Sequence, residues 1–335
     1  MKKIIISDVT LRDGNHAVKH QINRNIIKIY SKFAELNKID ILEVGHGNGL
    51  GASSLTIGRS KISNNEAIKL AKINLKNTKL SVHSIPGFST LDDVKSAIDN
   101  GVDIVRVGCN SLDIDIIERQ FLYCKKNKVE SWCVFMMFHQ IYSNNKYISI
   151  VKNLKKLGIK TFIVMDSAGI LLPEDVKKIF TNLKKLKVRS GFHGHNNLGC
   201  ATANTLEAIK HGAKIVDCAI RGFGAGAGNT QLEIIIALLK RLKISNQFNV
   251  REFYKMSDEF IKILIKNKIE YKDIFTNPIS ISTGLNGLFS GFSSKIKLFA
   301  EKYNVNSFDI SDLASEKQLA AGQDDLLMNI AHNLS

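Results

Sequence analysis

The chain has 335 residues, 44% of them hydrophobic, with three prolines and a net charge of +16 from 47 basic against 31 acidic residues. This composition excludes a disordered or collagen-like chain and fits one large domain, or a large and a small one. No apolar stretch approaches the roughly 20 residues a membrane helix needs, and the opening MKKIIIS is too short for a signal peptide, so a cytoplasmic protein without a membrane partner is expected.

Lysines carry most of the charge and recur along helical runs such as VKNLKKLGIK. Aromatics that would stack bases are missing from those runs, so a solvated helix face explains them better than a nucleic-acid surface. Cys109, Cys124, Cys133, Cys200 and Cys218 show no CxxC spacing and read as reduced thiols.

In chain order, short β-branched and apolar runs predict strands at 4–10, 40–46, 79–85, 104–110, 131–138, 161–167, 190–196 and 215–223. Stretches with helical periodicity separate them, among them NIIKIYSKFAELNK and LDDVKSAIDNG. Eight strands alternating with helices predict an α/β fold, a (β/α)8 TIM barrel, over residues 1–255; a doubly wound open sheet is the alternative. Beyond, only helical runs follow, with EFYKMSDEFIKILIK, SSKIKLFAEKY and EKQLAAGQDDLLMNIAHNL as the main ones. They predict a small helical domain over 256–335.

The polar exceptions on these strands sit at their C-terminal ends. DVTLRDGNH, EVGHGNG, MDSAG, FHGHNN and RGFGAGAGN follow strands 1, 2, 6, 7 and 8, the rim where barrels place catalytic groups. His193 and His195 alternate on one strand and project to one side. With Asp13 they make a two-His, one-carboxylate set for a divalent ion, Mn²⁺ or Mg²⁺ rather than structural zinc. Such an ion binds a 2-oxo acid and polarises its ketone.

Arg12 suits an enolate or carboxylate, or a salt bridge on the rim. His16 is an acid/base candidate or a capping residue, with His20 and His46 weaker candidates of the same kind. Ser167 either binds a substrate carboxylate or caps the next helix. The glycines of GFGAGAGN fit a dinucleotide fingerprint superficially but follow the last strand, not the first. A tight rim loop explains them better, and Asn229 either contacts the metal or fixes that loop.

Together, SDVTLRDGNHAVKHQ, EVGHGNGLGASS, MDSAG, FHGHNNLG and VDCAIRGFGAGAGN resemble the 4-hydroxy-2-oxovalerate aldolases, of the metal-dependent superfamily named for a D-R-E motif and a TIM barrel. The resemblance extends to AEKYNV and AAGQDD in the helical region. It implies cleavage of a 4-hydroxy-2-oxo acid to pyruvate and an aldehyde, with Mn²⁺, or Mg²⁺ or Co²⁺, held by Asp13, His193 and His195. It further implies that Arg12 stabilises the enolate, His16 handles the proton at the 4-hydroxyl, and Ser167 contacts substrate beside Arg12, Asp13 and His193. The helical domain would dock an acylating acetaldehyde dehydrogenase.

Two departures stand out: Phe289 in GLFSGF replaces the family's tyrosine, and Asn196 replaces a second histidine after the metal pair. They leave open a Claisen-type acyl-CoA synthase or lyase of the same superfamily, or a weakly active barrel kept as a dehydrogenase's partner.

Overall fold

The computed structural model describes residues 3–142, 144–271 and 275–335. The apolar runs form eight parallel strands: β1 (Ile5–Leu11), β2 (Ile41–Val44), β3 (Lys79–Ser84), β4 (Ile104–Asn110), β5 (Glu130–Met136), β6 (Thr161–Asp166), β7 (Arg189–Gly194) and β8 (Ile215–Cys218). They pair in chain order into a closed barrel, with Ile5 through Asp8 of β1 opposite Ile215 through Cys218 of β8. Closure decides against the open sheet.

The connecting helices are α1 (Arg24–Leu36), α2 (Asn64–Lys72), α3 (Leu91–Asp99), α4 (Glu118–Lys126), the short α5 (His139–Tyr142), α6 (Lys146–Lys156), α7 (Pro173–Lys185), α8 (Ala201–His211) and α9 (Leu232–Arg241). Local chemistry sets their starts. Asn23 accepts from the Ile26 N–H ahead of α1, and Thr90 and Asp93 form a reciprocal capping box on α3.

Strand alternation separates two cores. Val82, Val105, Val107, Phe135, Phe162, Val164 and Phe192 face outward and pack beneath the helices. Ile41, Ile104, Trp132, Val134, Met136, Ile163, Met165 and Ile215 fill the barrel itself.

Strand 8 is shorter than predicted. It stops at Cys218, and residues 220–222 turn as a 3-10 segment with Arg221 at φ 51°, a left-handed conformation no strand contains.

Helix α10 (Val250–Lys266) runs unbroken through the expected boundary at 255/256 and puts Phe253, Met256, Phe260 and Leu264 into the barrel's outer core. Then come α11 (Pro278–Leu285), α12 (Phe292–Tyr303), α13 (Ser307–Glu316) and α14 (Asp324–Leu334). They build a separate cluster around Phe292, Ile296, Ile310, Leu327 and Ile330. The predicted run at 316–334 is helical only from Asp324, since α13 ends at Glu316 and Gln318 at φ 51° and Gly322 at φ 97° interrupt the stretch between them.

Candidate active site

At the end of β1 the pairing with β2 shifts register between Asp8 and Leu11, and the chain passes directly into a 3-10 turn at Asp13–Val18. A bulge of this kind re-aims the side chains that follow it. Arg12 and Asp13 consequently point into the barrel mouth, 3% and 4% exposed.

Arg12 donates from Nε to Glu43 Oε2 at 2.9 Å and from Nη1 to Asp13 Oδ1 at 2.6 Å and the Gly47 carbonyl at 3.0 Å. The salt-bridge alternative for Arg12 is therefore realised, yet its Nη2 is buried with no partner among the described residues and can donate to a ligand. Asp13 Oδ2 accepts from Asn229 Nδ2 at 2.7 Å and from the Ala225 N–H at 3.3 Å. Burial alone would raise the Asp13 pKa, but Arg12 and then His195 and His193 hold it well below the usual carboxylate range.

The glycine-rich loop now has a physical reason. A Cβ on Gly224 would stand 2.7 Å from Asp13 Oδ2, and one on Gly226, at φ 58°, would strike Ser290. Backbone approaches the carboxylate where no side chain fits. Asn229 fixes this loop through the Phe223 carbonyl at 3.0 Å while also orienting Asp13.

His193 donates from Nδ1 to Asp217 Oδ2 at 2.9 Å, and His195 donates from Nδ1 to the Asp166 carbonyl at 3.0 Å. Partners of this kind set the ring orientation of a metal-binding histidine. Both Nε2 atoms are buried without a partner among the described residues. Ligand atoms from Asp13, His193 and His195 all lie within 4.8 Å of one another, with His195 Nε2 3.8 Å from Asp13 Oδ2. Burial pushes His195 down to about 3 despite the pull of Asp13, leaving a neutral imidazole with a free lone pair. Two orphaned nitrogens beside an ionised carboxylate fit a divalent ion.

Three residues of this network escaped the sequence reading. Fully buried Arg106 on β4 donates from Nη1 to Glu43 Oε2 at 3.0 Å and from Nη2 to Asp217. A continuous chain Arg12–Glu43–Arg106–Asp217–His193 thus crosses the barrel. The available signal was a charge alone in an apolar strand: Glu43 in ILEV, Arg106 in IVRVG and Asp217 in IVDC.

The loop histidines stack together. His20 lies 3.7 Å from His46 between ring centroids, and His16 meets His20 edge-on at 4.9 Å. His46 accepts at Nδ1 from the Asn48 N–H and donates at Nε2 to the Gly58 carbonyl, which gives it a structural role. Burial lowers His20 to about 2 and His46 to about 4. His16 is half-buried, and burial lowers its pKa against the opposing pull of Asp13. It borders a cavity of about 350 Å³ with Gly224, Ala225, Tyr271 and Gly291.

Ser167 does not cap α7. Its Oγ accepts from the Met137 N–H at 3.0 Å, and its carbonyl accepts from the Ser290 N–H at 2.8 Å. Ser290 also bonds Asn197 Oδ1 at 2.7 Å and the Ala225 carbonyl at 3.1 Å, seating the 288–292 segment on the rim. Phe289 in that segment packs edge-on against Phe292. Asn196 accepts from the Ala201 N–H at 3.2 Å and helps start α8.

Comparison with known proteins gives a consistent result. Residues 3–260 match the HMGL-like family, and residues 274–335 match the DmpG-like communication domain. A Pectobacterium atrosepticum protein named 4-hydroxy-2-oxovalerate aldolase is 38% identical, with 100% of this chain and 96% of that protein covered. A Spirochaeta aurantia protein of the same name is 39% identical, with 99% and 96% covered. Among solved structures, the carboxyl transferase domain of Rhizobium etli pyruvate carboxylase, with pyruvate, superposes at a TM-score of 0.83. It is 16% identical, over 99% of this chain and 61% of that one, a likeness of fold alone.

Proposed function

The chain belongs to the 4-hydroxy-2-oxovalerate aldolases within the HMGL-like family and is a carbon–carbon lyase, and we propose that it cleaves a 4-hydroxy-2-oxo acid to pyruvate and an aldehyde with a divalent ion, Mn²⁺ by preference. The observation that carries this reading is the pair of unpartnered imidazole nitrogens beside Asp13, with Arg12 bonded to the same carboxylate. Asp13, His193 and His195 would hold the ion. When bound, it supplies Lewis-acid polarisation of the 2-oxo group.

The protein's own groups do the rest. His16, held largely neutral by its surroundings, takes the proton of the 4-hydroxyl. The C3–C4 bond then breaks, its electrons pass to the 2-oxo group as a pyruvate enolate, and the aldehyde is released. Arg12 Nη2, unpaired among the described residues, bonds the enolate oxygen. Ser167 keeps a hydroxyl proton to donate to the substrate carboxylate, since its oxygen already accepts from Met137. The proton that His16 took returns to C3, directly or through solvent, and completes pyruvate.

The HMGL-like match ends at 260 and the communication-domain match begins at 274, so we place the functional division between them rather than at 255/256. On that second part we place the docking site of an acylating acetaldehyde dehydrogenase. Phe289, which offers no hydroxyl, supports the Claisen-type acyl-CoA reading as the second choice.

The test is pyruvate release from 4-hydroxy-2-oxopentanoate with and without Mn²⁺, by the native chain and by Phe289→Tyr. Metal-dependent release by the native chain is the expected result. Release by the variant alone would make the scaffold an aldolase's with another native substrate. Silence from both, with turnover of acetyl-CoA, would favour the second reading.

A further inference from the structure

One polar side chain in the barrel mouth has no part in the constellation around Asp13. On β3, Leu80 and Val82 belong to the outer core, so Ser81 and His83 face the interior. The next inward residue, Ile85, packs on the interior cluster that contains Met136. The His83 ring lies over Gly108 of β4, where a Cβ would stand 2.5 Å from its Cε1 and 2.9 Å from its Nε2. That glycine makes room for the imidazole. The residue is 2% exposed, and its Nδ1 has no hydrogen-bond partner among the described residues.

Buried polar atoms are almost always paired, and an orphan points to a missing partner. Burial, reinforced by Arg12 and Arg106, holds His83 well below the usual imidazole range. The ring is therefore neutral, with one donor and one acceptor, the complement of a hydroxyl group.

Position decides which part of the substrate it meets. Strands β3 and β7 are four apart in either direction around the eight-stranded barrel, so His83 stands across the mouth from His193 and His195. With the carboxylate at Ser167 after β6 and the 4-hydroxyl at His16, whose ring lies against Gly47 in the loop after β2, the C4 end of the substrate falls on the β2 and β3 side. A cavity of about 330 Å³ lies at the ends of β3, β4 and β5, lined by Ile85, Phe88, Met136, Met137 and Ala321, with His83 outside its lining and two residues before Ile85 along the chain.

We propose that His83 is a specificity-determining residue of the cleavage, and that it hydrogen-bonds a hydroxyl carried on the aldehyde half, so that the released product is a 2-hydroxyaldehyde. This rests on the pyruvate-aldolase reading above. A site that bonds a hydroxyl rejects the analogue lacking it, because its own polar group is then left unpaired.

The experiment runs the reaction in reverse. Pyruvate is condensed with glycolaldehyde or with propanal, which carries a methyl in place of the hydroxyl, in the presence of Mn²⁺. The native chain is expected to favour glycolaldehyde in kcat/KM by about 5- to 150-fold. His83→Leu abolishes or reverses that ratio, and His83→Gln keeps part of it. Each ratio is measured within one preparation, so the folded fraction cancels.

A second readout needs neither metal nor substrate: metal-free His83→Leu melts no lower than the native chain, since an orphaned polar group is removed. No preference in the native chain, an unchanged ratio in His83→Leu, or a lower melting temperature would each overturn the inference. The last two are the results expected if a buried water or the protein itself satisfies the ring. Exchange of the pyruvate methyl protons with D₂O, run without aldehyde, separates the two readings. Exchange without aldehyde discrimination sinks only the role of His83, whereas absence of exchange sinks the aldolase reading and this inference with it.

Discussion

Trp132 divides the barrel interior into two ionic networks of opposite character. Above it, Arg106 lies 5.9 Å from the ring centroid and links Glu43 to Asp217 with no exposure to solvent. Below it, Arg189 lies 5.1 Å from the same ring and pairs with Glu130, which also takes Lys79. Each joins an arginine to a glutamate at a similar distance, the upper one adding Asp217 and the lower one Lys79. What differs is water: the lower side chains are 32% to 54% exposed, and the upper ones are sealed. Exposed pairs are worth about 0–1 kcal/mol, whereas breaking a buried pair strands a charge. A buried network is weak support for stability as such, and its value here is positional, since it ends on the Nδ1 of His193 and on Arg12.

The comparison is broken most severely at the upper end. His195→Ala removes one of two orphaned nitrogens and should lower pyruvate formation by about 10³-fold or more, the equivalent of several kcal/mol of Lewis-acid stabilisation. The same variant should lose the rise in melting temperature that Mn²⁺ gives the native chain, because an ion stabilises only the state that binds it. A variant that kept both would show that the ion binds elsewhere. Next in size is Arg106→Leu. It leaves Asp217 buried without a cation, held only by His193, and Glu43 with Arg12 alone, and should cost about 3–5 kcal/mol in denaturant unfolding. A loss below about 1 kcal/mol would mean that water reaches the upper network after all.

Why Arg106 went unread while His193 did not is a matter of neighbours. Clusters of polar residues at the C-terminal ends of mainly apolar strands betray the rim of a parallel barrel, so the metal-side candidates and the eightfold β/α alternation were legible. A single charge in mid-strand is ambiguous until closure tells which face is inward and which other strands supply its partners. Arg106 meets Glu43 63 residues away and Asp217 111 residues away. His83 suffers the same ambiguity, and the clue to it, Gly108, lies on the adjacent strand. The misread run at 316–334 has a local cause: Gln318 adopts a left-handed conformation that nothing in its side chain announces.

The lower network sharpens the contrast by how little it should respond. Glu130→Gln removes the carboxylate shared by Lys79 and Arg189 but keeps an acceptor for Trp132 Nε1, which now donates to it at 2.8 Å. The cost should be no more than about 1 kcal/mol and should shrink further in 1 M salt, where the screening length falls to about 3 Å. Partial burial raises the Glu130 pKa, but the bonds from Lys79 and Trp132 outweigh it and bring the pKa below its ordinary value. A carboxyl lowered on folding stabilises above its unfolded pKa and loses that contribution as pH falls through the folded one. The native chain should therefore lose slightly more stability than Glu130→Gln on acidification below about pH 4.5, the unfolded value. Parallel unfolding curves at pH 7 and pH 3 read the difference. A gap as large as that of Arg106→Leu would mean that the lower pairs are sealed from water as the upper ones are, and Trp132 would then divide nothing.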